Sequence, residues 1–234
     1  MNMSSPNIII AIDKNNQSDA IKLAAMLDPK LCRLKVGLEL FTAEGPAILE
    51  VLQKQGFEIF LDLKFHDIPN TVARACTVAA GMGVWMINVH ALGGLAMMSA
   101  AREAISKTSH QPLLIAVTIL TSHDQKDLSA AGITMNVGEC VIQYAQNARQ
   151  AGCDGVVCSA LEAGKLRKEL GDDFILVTPG IRPGGSKSND QKRVVSPAAA
   201  IMSGANYLVI GRPVTDADDP AQALLNIHES IKKA

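Results

Sequence analysis

The chain has 234 residues, 48% of them hydrophobic and 19% charged, which is ample for a packed core and unlike a disordered chain. Its formal net charge of −1 sets up no global field that would favour nucleic acid or an acidic membrane surface. Five cysteines (Cys32, Cys76, Cys140, Cys153 and Cys158), with no Cys-x-x-Cys among them, indicate reduced, mostly buried thiols of a cytosolic protein. The opening Met-Asn-Met-Ser-Ser-Pro lacks a basic segment followed by a long apolar one, so no signal peptide is expected.

Along the chain, eight short apolar runs read as buried strands: 8–12, 34–37, 59–63, 85–89, 113–120, 155–158, 174–178 and 207–210. Each is continuous and often β-branched, as parallel strands covered on both faces tend to be. Helical patterns alternate with them over 20–27 (with Ser18 or Asp19 as cap), 43–55, 71–80, 95–107, 137–150, 161–170, 197–203 and 220–232. Gly56, Gly81, Gly152, Gly171 and Gly204 follow helical stretches, where glycine supplies a left-handed terminus without a Cβ penalty. Eight alternations predict a parallel sheet closed into a (β/α)₈ barrel, with an open doubly wound sheet as the alternative. No Gly-x-Gly-x-x-Gly follows the first strand, which weakens a dinucleotide-binding version. The stretch 75–101 carries no Asp, Glu, Lys or Arg, but Gly81, Gly83, Asn88, His90, Gly93 and Gly94 interrupt it. It reads as helix end, strand, loop and helix start, not as a membrane span.

The predicted strand ends collect polar residues: Asp13, Lys35, Asp62, Lys64, His90, Thr118, Thr121, Ser159, Arg182 and Gly211-Arg212. In a barrel these share one rim, the one where barrel enzymes carry their active sites. Asp62, Lys64 and Asp67 stand out. Strand alternation points Asp62 and Lys64 the same way, and Asp67 follows in the turn before a helix that Pro69 is suited to open. A structural salt-bridge cluster is the plain alternative, because ion-pair networks also gather charges. The irregular stretch 179–196 follows the seventh strand and reads as a binding loop or lid. With Gly211-Arg212-Pro213 after the eighth strand, its glycines and Arg182 suit a phosphate group. His90 reads as a hydrogen-bonded rim histidine and His66 as a packing or hydrogen-bonding residue. His110, His123 and His228 read as surface positions. No second His or Cys stands at metal-ligand spacing from His90.

These segments together resemble the orotidine 5′-phosphate decarboxylase family in its short bacterial form. The likeness spans essentially the whole chain and includes Ile-Ile-Ala-Ile-Asp ending at Asp13, Leu-Lys-Val-Gly ending at Gly37, Asp-Leu-Lys-Phe-His-Asp-Ile-Pro-Asn-Thr from Asp62 to Thr71, Val-Thr-Ile-Leu-Thr-Ser ending at Ser122, Thr-Pro-Gly-Ile-Arg ending at Arg182 and Val-Ile-Gly-Arg-Pro ending at Pro213. The resemblance implies decarboxylation of orotidine 5′-monophosphate to UMP, in the cytoplasm, with no metal and no organic cofactor. It implies that Asp13 and Lys35 hold ribose hydroxyls, that Asp62 lies near the substrate carboxylate and that Lys64 donates the proton. Asp67 and Thr71 would reach into the active site of a partner subunit in a homodimer. Thr121 would contact the pyrimidine, and Arg182, Gln191, Gly211 and Arg212 the 5′-phosphate. Loop length after Pro183 varies in the family, which bears on Gln191. The nearest alternative is a relative that shares Asp-x-Lys-x-x-Asp but uses Mg²⁺ and an enediolate; Ile68 to Thr71 and the Arg182 loop favour the nucleotide enzyme. A catalytically silent nucleotide-binding barrel is the alternative of another class, and intact Asp62, Lys64 and Asp67 argue against it.

Overall fold

The eight apolar runs become eight parallel strands that pair in chain order and close on themselves in the computed structural model, which describes residues 7–183 and 195–233. The strands are β1 (Ile8–Ala11), β2 (Cys32–Gly37), β3 (Ile59–Phe65), β4 (Met86–His90), β5 (Leu113–Val117), β6 (Gly155–Val157), β7 (Ile175–Thr178) and β8 (Tyr207–Ile210). β8 returns to β1 with Ile8 opposite Leu208, so no edge is left unpaired. The open doubly wound alternative is thereby excluded.

Around the barrel lie α1 (Gln17–Ala25), α2 (Leu38–Glu44), α3 (Ala47–Lys54), α4 (Pro69–Gly81), α5 (Gly94–Ser106), α6 (Gln125–Ala130), α7 (Val137–Gln150), α8 (Ala160–Leu170), α9 (Pro197–Met202), α10 (Arg212–Thr215) and α11 (Pro220–Lys232). Three details differ from the sequence reading. The helix expected over 43–55 is two helices, broken where Gly45 turns to φ 64° and Pro46 follows. The cap of α1 is Asn16, whose side chain accepts the Asp19 N–H, and not Ser18 or Asp19. Gly81 lies within α4, and the left-handed turn after it falls to Gly83, φ 69°.

Two apolar cores result from strand alternation. The larger sits between barrel and helices. The smaller fills the barrel with Ile9, Ala11, Phe60, Met86, Ile115, Val177 and Val209. Beneath it, Arg33 is 3% exposed, its guanidinium 4.0 Å from the Trp85 ring centre and its Nη2 2.7 Å from Glu58. That stack closes the barrel's lower end with a cation whose charge is met by an aromatic face and a carboxylate. All five cysteines are buried, and burial pushes the thiols of Cys32, Cys76 and Cys153 up to about 12, which makes them poor nucleophiles. Among the described residues no helix is long and apolar enough to cross a membrane.

Gly155 marks a close approach of β6 to β7. A Cβ there would collide with the backbone carbonyl of Ile175 on β7, which cannot swing aside. Gly155→Ala is expected to cost about 1–3 kcal/mol and to lower the melting temperature by roughly 2–4 °C per kcal/mol in a chain this long, read by thermal denaturation.

Candidate active site

The upper rim of the barrel carries a row of alternating charges. Lys64 Nζ lies 2.7 Å from Asp62 Oδ1, Lys35 Nζ lies 3.4 Å from Asp62 Oδ2, and the same ammonium lies 3.4 Å from Asp13 Oδ1. The side chains of Lys35 and Asp62 are 11% and 12% exposed, and that of Lys64 30%. Burial works to raise the Asp62 carboxyl, but the charges of Lys35 and Lys64 and the hydrogen bonds from Lys64 and Asn88 outweigh it, so the group sits below the usual aspartate range. Asp62 is therefore an anion at neutral pH. The stability it contributes is complete above the unfolded-chain value and is lost as pH falls through the lowered one.

Lys64 reaches Asp62 by a route that pleat alternation alone does not provide. It adopts φ 52°, the only positive φ of a non-glycine among the described residues. Between the pairs Leu61–Ile87 and Phe65–Val89 the register of β3 against β4 shifts, so β3 is irregular where Lys64 stands. Irregularities of this kind re-aim a side chain, and a left-handed lysine costs about 1–2 kcal/mol. Asn88 compensates. Fully buried on β4, it accepts the Lys64 backbone N–H at 2.7 Å through Oδ1 and donates to Asp62 Oδ1 at 2.6 Å through Nδ2.

The row borders a cavity of about 320 Å³. Its apolar wall comes from Phe60, Val117, Ile119, Val157 and Val209, and Thr121 and Ser122 stand at its rim. A smaller recess beside it is lined by Asp13, Lys35, Gly37, Asp62 and Lys64. A cavity of about 360 Å³ also lies outside the barrel near α9 and α11, but no ionisable side chain lines it. Charge and concavity thus coincide only at the barrel mouth among these three.

The remaining expected residues are distributed unevenly. Arg182 leaves β7 largely buried, its N–H donating to the Val195 carbonyl at 3.0 Å and its Nη1 to the Ile181 carbonyl at 2.9 Å. Gly211 and Arg212 follow β8, and a Cβ on Gly211 would stand 3.5 Å from Asp13 Oδ2, so the ends of β8 and β1 adjoin. Gln191 and most of the 179–196 loop lie outside the described residues. Asp67 and Thr71 are exposed, and among the described residues no ion pair joins Asp67 to Lys64; its Oδ1 accepts the Ile68 N–H at 2.6 Å.

Other members of the expected row have structural duties. Ser159 caps α8, accepting the Leu161 N–H, and the Thr118 hydroxyl donates to the Val157 carbonyl at 2.8 Å. His90 does not match the hydrogen-bonded rim histidine expected, since its Nδ1 is buried with no hydrogen-bond partner among the described residues. It stacks on His66 with ring centres 5.6 Å apart. Burial first, then the charges of His66, Lys64 and His123, hold it below the ordinary histidine range, so it is neutral at neutral pH. Sequence reasoning missed Asn88; its signal was a polar residue two positions after Met86 on the inward face of a buried strand. Among the described residues no three His, Cys, Asp or Glu side chains converge as a metal site would need.

Comparison with known proteins narrows what such a rim serves. The family model for orotidine 5′-phosphate decarboxylase / HUMPS proteins matches residues 6–227. An orotidine 5′-phosphate decarboxylase of Teredinibacter turnerae is 55% identical over 232 residues, covering 99% of this chain and all of its own length. That of Hydrogenovibrio crunogenus is 57% identical over 226 residues, covering 97% and 96% of the two chains. The crystal structure of orotidine 5′-phosphate decarboxylase from Lactobacillus acidophilus superposes with a TM-score of 0.86 at 37% identity, covering 97% of this chain and 99% of that one. With a closed barrel, a charged row at its mouth and likeness along nearly its entire length, this chain belongs to the orotidine 5′-phosphate decarboxylase / HUMPS family.

Proposed function

We propose that the protein converts orotidine 5′-monophosphate to UMP and CO₂ in pyrimidine synthesis, without metal or organic cofactor. The observation that carries this reading is the Lys64 ammonium held 2.7 Å from a buried, ionised Asp62 beside an apolar-walled cavity. Decarboxylation at C6 breaks the bond from ring to carboxylate, and the electron pair stays in an sp² orbital that the ring delocalises poorly. The protein must therefore supply the electrostatics itself. A fixed ammonium facing C6 stabilises the developing pair and then delivers a proton to it. UMP forms, CO₂ departs and the neutral amine regains a proton from water.

In this reading Lys64, Asp62, Lys35 and Asp67 are the catalytic group. Asp13 and Lys35 hold the ribose and Thr121 meets the pyrimidine. Arg182, Gln191, Gly211 and Arg212 take the phosphate, with 179–196 as the loop that closes over it. Binding the phosphate, remote from C6, lowers the barrier if it helps assemble the charged site. A homodimer in which Asp67 and Thr71 enter the neighbouring site is supported by their exposure at the start of α4. It is also supported by the exposed apolar side chains Leu38 after β2, Ile68 before α4, Val78 within α4 and Leu92 after β4.

The test is the fall in orotidine 5′-monophosphate absorbance with purified protein in a strong chelator. Turnover that persists after chelation supports the reading. Turnover that vanishes and returns only with a divalent cation supports the metal-dependent, enediolate-forming relatives instead. No turnover under either condition overturns the proposal.

A further inference from the structure

We infer that Asn88 is a positioning residue, one that aims the Lys64 amine by clamping the Lys64 backbone and the Asp62 carboxylate to each other. The inference rests on the decarboxylase reading for its consequence, but its geometry stands independently. Asn88 Oδ1 accepts the Lys64 N–H at 2.7 Å, Asn88 Nδ2 donates to Asp62 Oδ1 at 2.6 Å, and Lys64 Nζ lies 2.7 Å from the same oxygen. Backbone of Lys64, amide of Asn88, carboxylate of Asp62 and ammonium of Lys64 thus form a closed ring of contacts. The amide orientation is fixed by its neighbours, since an N–H must meet the oxygen and a carboxylate must meet the NH₂.

The clamp answers a specific need. Lys64 sits at φ 52° where the register of β3 against β4 shifts, after Leu61. Its N–H finds its acceptor in a side chain of β4, Asn88. A buried N–H without an acceptor is costly, and a left-handed lysine persists only where its surroundings fix it. Asn88 meets both needs, and with the same group it orients the anion that the ammonium faces. The job requires one acceptor and one donor on a short planar fork in a site with no solvent access. Aspartate accepts at both ends, leucine at neither, and glutamine adds a methylene where Asn88 is 0% exposed.

Two variants test this. Asn88→Asp keeps shape and loses the donor; Asn88→Ala loses both. With active sites counted by bound UMP, kcat on orotidine 5′-monophosphate is expected to fall about 100-fold in each, because a misaimed catalytic group costs about that much. UMP affinity is expected to stay within about threefold: Asn88 borders the cavity, but its amide is engaged by the Lys64 N–H and Asp62, and the nucleotide contacts proposed above fall on Asp13, Lys35, Thr121, Arg182 and Arg212. Hydrogen exchange at the Lys64 amide, slow in the parent, is expected to speed up in Asn88→Ala. A parent-like kcat per folded site, an equal loss of UMP affinity and kcat, or unchanged Lys64 exchange overturns the inference. If Asn88→Ala does not fold, the nearly isosteric Asn88→Asp decides on kcat and UMP affinity. An unmutated protein that turns over no substrate condemns the decarboxylase reading instead, and the exchange measurement then still decides whether Asn88 holds Lys64.

Discussion

Lys64→Ala is expected to lower kcat on orotidine 5′-monophosphate by about 10⁴-fold or more, because one amine supplies both electrostatic stabilisation and the proton. That factor corresponds to about 5.5 kcal/mol of barrier. Among the described residues no other ammonium stands as close to Asp62: Lys35 is at 3.4 Å, against 2.7 Å for Lys64, and is shared with Asp13. Asp62 keeps Lys35 and Asn88 in the variant, so the site is not left with an uncompensated buried charge. The nucleotide should therefore still bind. At a UMP concentration about 100 times its dissociation constant, the variant should gain about 2.7 kcal/mol of stability, visible as a raised melting temperature. Retained UMP stabilisation with lost turnover is the expected pair of results. A kcat within tenfold of the parent would remove Lys64 from the chemistry.

Mixing two inactive proteins, Lys64→Ala and Asp67→Ala, is expected to restore about a quarter of parental activity after subunit exchange. In a mixed dimer, one site joins an intact Lys64 to an intact Asp67 of the partner, while the other site carries both lesions. Random exchange makes about half of the dimers mixed, and half of their sites are whole. The expectation comes from where Asp67 stands: exposed, on the turn before α4, and joined to no cation of its own rim among the described residues. The catalytic role proposed for Asp67, together with the lack of an ion pair to its own chain's Lys64 among the described residues, calls for a site on another copy. Exchange confirmed by mass spectrometry with no recovered turnover would refute the shared site.

The barrel was legible because each strand is covered on both faces, so burial wrote itself into the sequence as unbroken apolar runs such as Ile8 to Ile10 or Leu113 to Val117. The short helices α6 and α10 were not, since they span too few turns to show a helical period, whereas α9, no longer than α6, was read over 197–203 with a proline at its start. The break between α2 and α3 could have been read from Gly45-Pro46, a dipeptide that stops helices. Within the site, residue types and spacing disclosed Asp62, Lys64 and Lys35. Strand alternation alone does not bring Lys64 to Asp62; the left-handed turn at Lys64 also shapes that contact, and lysine as a residue type does not announce it. Asn88 was hidden for a related reason: its role depends on a register shift between two strands, which exists only once the sheet is assembled. His90 misled because a polar residue at a strand end usually finds a partner, and its Nδ1 has none among the described residues.

The layer formed by Ile9, Phe60, Met86, Ile115, Val177 and Val209 lies between Arg33 below and the Lys35–Asp62–Lys64 row above. Such a plug behaves as an insulator. It keeps water from wetting the carboxylate from underneath, so each ion pair above acts at higher field strength than it would in an open channel. A polar or smaller side chain in this layer is thus expected to weaken the ion pairs above it as well as to leave space unfilled.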